Sequence, residues 1–166
     1  IDQWFSKFGI FEEHSHRLLA SIVGLLTAAL ASWFWVREAK GKPRIIALIG
    51  IVVTLGLMGV RTQAMFVVMA IAALLMVVFS VYRILKKRDA MRWWATMAYS
   101  MVIVQGVLGG LRVTQQNNQI GIIHGTLAQV FLIVLALIAL FSSNWWRRAC
   151  FANNPDEMVP RVVRAH

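Results

Sequence analysis

Residues 45–82 read IIALIGIVVTLGLMGVRTQAMFVVMAIAALLMVVFSVY, two apolar runs divided only by Arg61-Thr62-Gln63. If the stretch is one long helix, every later segment reverses direction; if it is a tight hairpin, the directions before and after it agree. Around it lie three more apolar stretches, Leu18–Val36, Trp93–Leu111 and Ile120–Phe141. A helix that crosses a hydrocarbon core needs roughly 20 residues, within about 17 to 25. Ile45–Val60, Ala64–Tyr82 and the other three meet that length or nearly do. None alternates with period two, and backbone groups at membrane depth must be satisfied within their own segment, so the runs are helices and not barrel strands. The expected fold is an all-α, polytopic membrane helix bundle with about five transmembrane helices.

Composition supports the same class. Apolar residues make up 59% of the chain and charged residues 14%, and the mean hydropathy is +0.67. Soluble domains do not string together apolar runs of this length. The net charge of +10 is concentrated in alternate connections. Arg37, Lys40, Lys42 and Arg44 follow the first span; Arg83, Lys86, Lys87, Arg88 and Arg92 follow the third; Arg147, Arg148, Arg161 and Arg164 follow the fifth. The other connections hold Lys7, Arg17, Arg61 and Arg112, which is thirteen cations against four. By the positive-inside bias the rich loops are cytoplasmic. One long helix over 45–82 would put Arg83–Arg92 outside, so the hairpin is the preferred reading. Cations confined to loops suit anionic lipid as a partner and not nucleic acid.

The segment 1–17 is too polar to span and leads into the first helix from the outer side. Residues 18–146 form the transmembrane bundle, and 147–166, with Pro155 and Pro160, read as a cytoplasmic linker or tail. A chain that opens on Ile1 reads as a piece of a longer protein. The single cysteine, Cys150, falls in that tail, where thiols stay reduced.

His16 and His124 each stand in the first turn of an apolar segment, and the charge bias gives both segments one direction. Two imidazoles then lie at one membrane depth near the outer face. Opposed neutral imidazoles complete the axial positions of a haem iron; the competing reading of each is an amphipathic interface anchor. His14 points about 200° around the helix from His16, so only one of them faces the bundle. Glu13 shares a face with His16 at i, i+3, either to steer the imidazole and move a proton or as an acid favoured by the helix macrodipole. Arg17 and Arg112 are placed to pair with propionates or to snorkel to the interface. Gly109 and Gly125, with Gly106, Gly110 and Gly121, remove side chains beside the histidines, for a flat macrocycle or for close helix packing. Gln105 and Gln129 are expected to hydrogen-bond inside the bundle.

Three motifs carry a family resemblance: Glu13-His14-Ser15-His16-Arg17-Leu18-Leu19, then Gln105-Gly106-Val107-Leu108-Gly109-Gly110-Leu111-Arg112-Val113, then His124-Gly125-Thr126-Leu127-Ala128-Gln129. In that order they resemble the N-terminal half of haem A synthase, a membrane protein of cytochrome oxidase assembly, over roughly residues 8–38 and 93–146. The resemblance implies two similar four-helix halves in a bacterial plasma membrane. The N-terminal half takes haem O and oxidises its C8 methyl towards the formyl of haem A, and the other half carries haem b. It implies His16 and His124 as the iron ligands and Glu13 as the glutamate of the oxidation; Arg17, Arg112, Gly109 and Gly125 join the expected haem-binding set by their positions alone. Implied partners are haem O, the enzyme that makes it, and cytochrome oxidase assembly factors.

The chain also departs from the family. Residues 44–85 interpose a hairpin between the histidine helix and the Gly-Gly-Leu-Arg helix, and its Met58, Met65, Met69 and Met76 read as packing or lipid-facing residues. The first family helix, the outer-loop cysteines of some members and the second half are not present in this sequence. Two other classes stay open: a b-type cytochrome module that uses the same histidines for electron transfer, and a non-catalytic membrane assembly component.

Overall fold

The computed structural model describes residues 2–59, 62–86, 90–115, 118–146 and 148, and the side chains of these except 2–13, 63 and 113–118. Five helices follow one another: α1 (Asp2–Glu38), α2 (Lys42–Leu57), α3 (Gln63–Lys86), α4 (Met91–Gln115) and α5 (Asn118–Ser142), with no strand among the described residues. Four of them contain stretches long and apolar enough to cross a membrane, namely His14–Glu38, Ala64–Lys86, Met91–Arg112 and Gln119–Ser142. The expected count of about five is corrected to four. The run Ile45–Val60 forms a helix of only 16 residues, about 24 Å long at 1.5 Å per residue, short of a core about 30 Å thick. The opening segment also differs from expectation, because residues 2–17 are the first turns of α1 itself. The tail apart from Arg148, and Arg61, Lys87 and Arg88, lie outside the described residues, and with them Arg147, Cys150, Arg161, Arg164 and His166.

Local chemistry makes the hairpin at 42–86. After α1, Gly41 turns the chain at φ +69°, a conformation that side chains disfavour. Pro43 then sits in the first turn of α2, where its missing N–H and fixed φ cost nothing. At the far end Gly56 and Gly59 close the helix with a backbone bond of 3.2 Å. Thr62 starts α3 as a cap: its Oγ1 accepts the Met65 N–H at 3.4 Å and its carbonyl the Phe66 N–H at 3.2 Å. These stop and start signals prevent one continuous helix.

Contacts at both ends establish the directions. Trp35 of α1 donates Nε1–H to Thr96 Oγ1 of α4 at 2.8 Å, and a Cβ on Gly24 would lie 3.6 Å from Val102. Phe79 of α3 meets Trp93 edge-on at 5.3 Å, while Phe66 lies 3.8 Å from where Gly110 would carry a Cβ. Trp94 packs on Phe141 of α5 at 5.6 Å, and Gly109 faces His124. Short as it is, α2 returns alongside α4: Thr54 Oγ1 and Tyr99 OH are 2.7 Å apart, and Met58 reaches Gly106. Helices α1, α3 and α5 therefore run one way, and α2 and α4 the other.

Helix α4 is the centre, packed by α1, α3 and α5. Of its most apolar stretch 61% is buried, against 22%, 17% and 11% for the stretches in α1, α3 and α5. It is also rich in small and polar residues: Ala95 and Ala98 are fully buried, and Thr96 and Ser100 nearly so. A helix that touches other helices on most sides has little need of lipid-compatible side chains and gains from small ones that allow close approach. Ala28 and Ala31 of α1 and Ala73 and Ser80 of α3 supply the opposing small surfaces. Met69 is buried and Met65 packs on the core, whereas Met76 is exposed. The start of α4 is capped from outside, since Glu38 Oε2 accepts the Arg92 N–H at 3.0 Å and the Glu38 carbonyl accepts from the Arg92 guanidinium at 2.8 Å.

Candidate functional site

The parallel course of α1 and α5 brings His16 and His124 together. Their ring centres are 6.3 Å apart and the planes cross at 73°. His16 is exposed and His124 half-buried; His14, two residues from His16, is also exposed. A metal-bound imidazole nitrogen lies about 2.0–2.1 Å from the metal, with the ring centre about 1.1 Å behind it, so two axial imidazoles have centres roughly 6.3 Å apart. The ring-centre separation of the pair matches that spacing.

The surroundings of His124 are asymmetric. Its Nδ1 is buried with no hydrogen-bond partner among the described residues. A Cβ on Gly109 would stand 3.6 Å from His124 Cε1, so the ring rests against the bare backbone of α4. Gln105 crosses from α4 and donates Nε2–H to the His124 carbonyl at 3.1 Å. This extra acceptor role is available because a carbonyl has two lone pairs. Gln129, by contrast, is exposed.

The remaining site residues divide into near and undescribed. Arg112 lies across Gly121, its Nε 3.4 Å from where a Cβ would sit, one turn before His124 on α5. Around Gly125 there is open space, with nothing within 4 Å of an added Cβ. Arg17 is exposed on α1 next to His16. Glu13 belongs to α1, one turn before His16, and its side chain lies outside the described residues. Among the described residues no three His, Cys, Asp or Glu side chains converge; a porphyrin iron needs only two from the protein.

A second cluster lies at the opposite end of the bundle, where sequence reasoning counts Arg83 and Arg92 only as loop charges. Both guanidiniums lie over the Trp93 ring, at 5.0 Å and 6.0 Å, and Arg92 also lies over Trp35 at 5.5 Å. The adjacent pair Arg92-Trp93 is the signal that could have found it.

The fold is that of a multi-pass helical membrane protein, with four helices long and apolar enough to span and two neighbouring histidines at one end of its bundle. Over 56 residues, 32% of this chain, the sequence is 43% identical to the Heme A synthase of Novosphingobium aromaticivorans. The matched region spans 16% of that protein's length. No family model matches the chain, and no solved structure matches it.

Proposed function

We propose that this chain is a haem-binding part of a membrane oxidoreductase of the haem A synthase kind. It takes haem O as substrate between His16 and His124 and supports oxidation of the C8 methyl towards the formyl of haem A. The observation that carries this reading is the 6.3 Å separation of the two rings, and the similarity to a Heme A synthase supports it. Bound haem supplies a redox-active iron next to the methyl to be oxidised.

The chain's own residues have separable tasks. His16 and His124 ligate and orient. Gly109 seats the His124 ring and Gly125 leaves room beside it. Arg112 and Arg17 bring positive charge to the same end, suited to propionates. Glu13, on the face of α1 that carries His16, takes up or delivers a proton near the reacting edge. This end faces the outer side of a bacterial plasma membrane in this reading, which the concentration of cations in the opposite loops supports. A partner half carrying haem b, and contact with the enzyme that makes haem O and with oxidase assembly factors, belong to the same reading.

The test is haem content and the absorption spectrum of the detergent-purified chain expressed with haem O available. Wild type is expected to copurify with haem O or an oxidised derivative. His16→Ala and His124→Ala should each lose the bis-histidine spectrum while keeping helical circular dichroism. An unchanged spectrum in either variant refutes the ligand assignment.

A further inference from the structure

At the end of the bundle opposite the histidines, residues at the ends of α1, α3 and α4 and the start of α2 line an open cavity of about 400 Å³, within the usual range of small-molecule sites. Its charged lining is Lys40, Arg83 and Arg92 against one carboxylate, Glu38. Glu38 is already engaged, with its Oε2 and its carbonyl both turned to Arg92. The donors are in excess. Arg83 Nε, Arg92 Nε and Trp93 Nε1 are buried without a hydrogen-bond partner among the described residues, and Trp93 as a whole is only 7% exposed. Buried donors are as a rule hydrogen-bonded, so a wall short of acceptors calls for an acceptor-rich, negatively charged guest.

We infer that this cavity binds the phosphate headgroup of an anionic phospholipid. A phosphodiester supplies two charged oxygens to the guanidiniums, whose faces are already stacked on Trp93 and Trp35 and whose N–H edges remain for hydrogen bonding. The rest of the wall favours a lipid over a free ion. Ala39, Pro43 and Phe79 make it apolar, and exposed apolar residues of the adjoining helix ends, Ile45 and Ile46 of α2 and Tyr82 and Leu85 of α3, flank it. A basic pocket between transmembrane helices on the cation-rich side is where anionic headgroups bind. The inference uses the membrane fold alone and stands or falls separately from the haem reading.

Native mass spectrometry of the detergent-purified chain, titrated separately with phosphatidylglycerol, phosphatidylcholine and inorganic phosphate, tests it. One phosphatidylglycerol is expected to be retained with about tenfold preference over phosphatidylcholine, the size of one charge-assisted hydrogen bond. Arg83→Gln should remove about tenfold of that affinity, Arg83→Lys less, and Lys40→Gln should weaken it while leaving the aromatic packing intact. Arg148→Gln, which deletes an exposed charge beyond the end of α5, should have no effect. Should Arg83→Gln fail to fold by circular dichroism, Lys40→Gln and Arg83→Lys carry the comparison. Equal retention of the two lipids overturns the inference. So does an equal loss in Arg148→Gln, which would mean diffuse surface charge, and so does inorganic phosphate binding as tightly as phosphatidylglycerol, which would mean a soluble anion.

Discussion

Replacing Gly109 separates the steric role of the α4 backbone from simple packing. A Cβ at this position meets His124 Cε1 at 3.6 Å, which is ordinary van der Waals contact between carbons. Gly109→Ala therefore fits without moving the ring, and the helix gains up to about 1 kcal/mol from losing a glycine. Leucine puts three more carbons into a gap that the first carbon fills, and overpacking of this kind costs about 1–3 kcal/mol. The cheaper response is for His124 to swing away, which breaks the 6.3 Å spacing to His16. Disturbing the shell that orients a metal ligand typically costs about 10- to 100-fold in affinity, so Gly109→Leu should lose haem at least tenfold and Gly109→Ala should keep it. The assay pairs haem per polypeptide and the absorption spectrum with thermal unfolding by circular dichroism in the same detergent. Gly125→Leu is the counterpart, because among the described residues nothing lies within 4 Å of an added Cβ; haem loss there with unchanged unfolding would place the macrocycle beside Gly125. A Gly109→Leu protein with wild-type haem content and spectrum would refute the reasoning.

Three further outcomes follow from the structure. Glu13→Gln should retain haem but convert none of it towards haem A when reductant and oxygen are supplied, read by mass analysis of extracted haem; normal conversion would refute the role given to Glu13, and haem left unchanged in the wild type as well would favour the electron-transfer reading of the histidine pair. Tyr99→Phe removes the bond to Thr54 that ties α2 to α4, and should cost about 0.6 kcal/mol and no more than about 1.7, with a double-mutant cycle against Thr54→Val in detergent unfolding returning a coupling of that size. Ala98→Leu, at a position with no exposed surface in the middle of α4, should destabilise by about 1–3 kcal/mol, whereas the same change at exposed Ala128 of α5 should stay within about 0.5 kcal/mol.

The meeting of His16 and His124 is legible in the amino-acid sequence, because helix position and charge bias together predict depth. His16 and His124 each open an apolar run, and the thirteen-to-four division of cations gives those runs one direction. The identity of the central helix is not legible in the same way. Helix α4 carries the least apolar of the four membrane-length stretches and is the most buried, an inversion of the rule for soluble cores. The clustering of Arg83, Arg92, Trp35 and Trp93 around one cavity is equally hidden, since its members come from three helices.

By itself the sequence determined that this is a helical membrane protein, where most of its helices lie, and which two histidines share a level. Those properties depend on transfer of side chains into hydrocarbon and on charge at loop ends, both of which are sums over composition and nearly independent of neighbours. Only the tertiary structure decided that the 16-residue α2, too short for a span, still returns the chain along α4, and that Gly109 is the surface on which His124 rests. These outcomes depend on which faces of nearly uniformly apolar helices fit together, and shape complementarity between small residues leaves almost no trace in a hydropathy pattern.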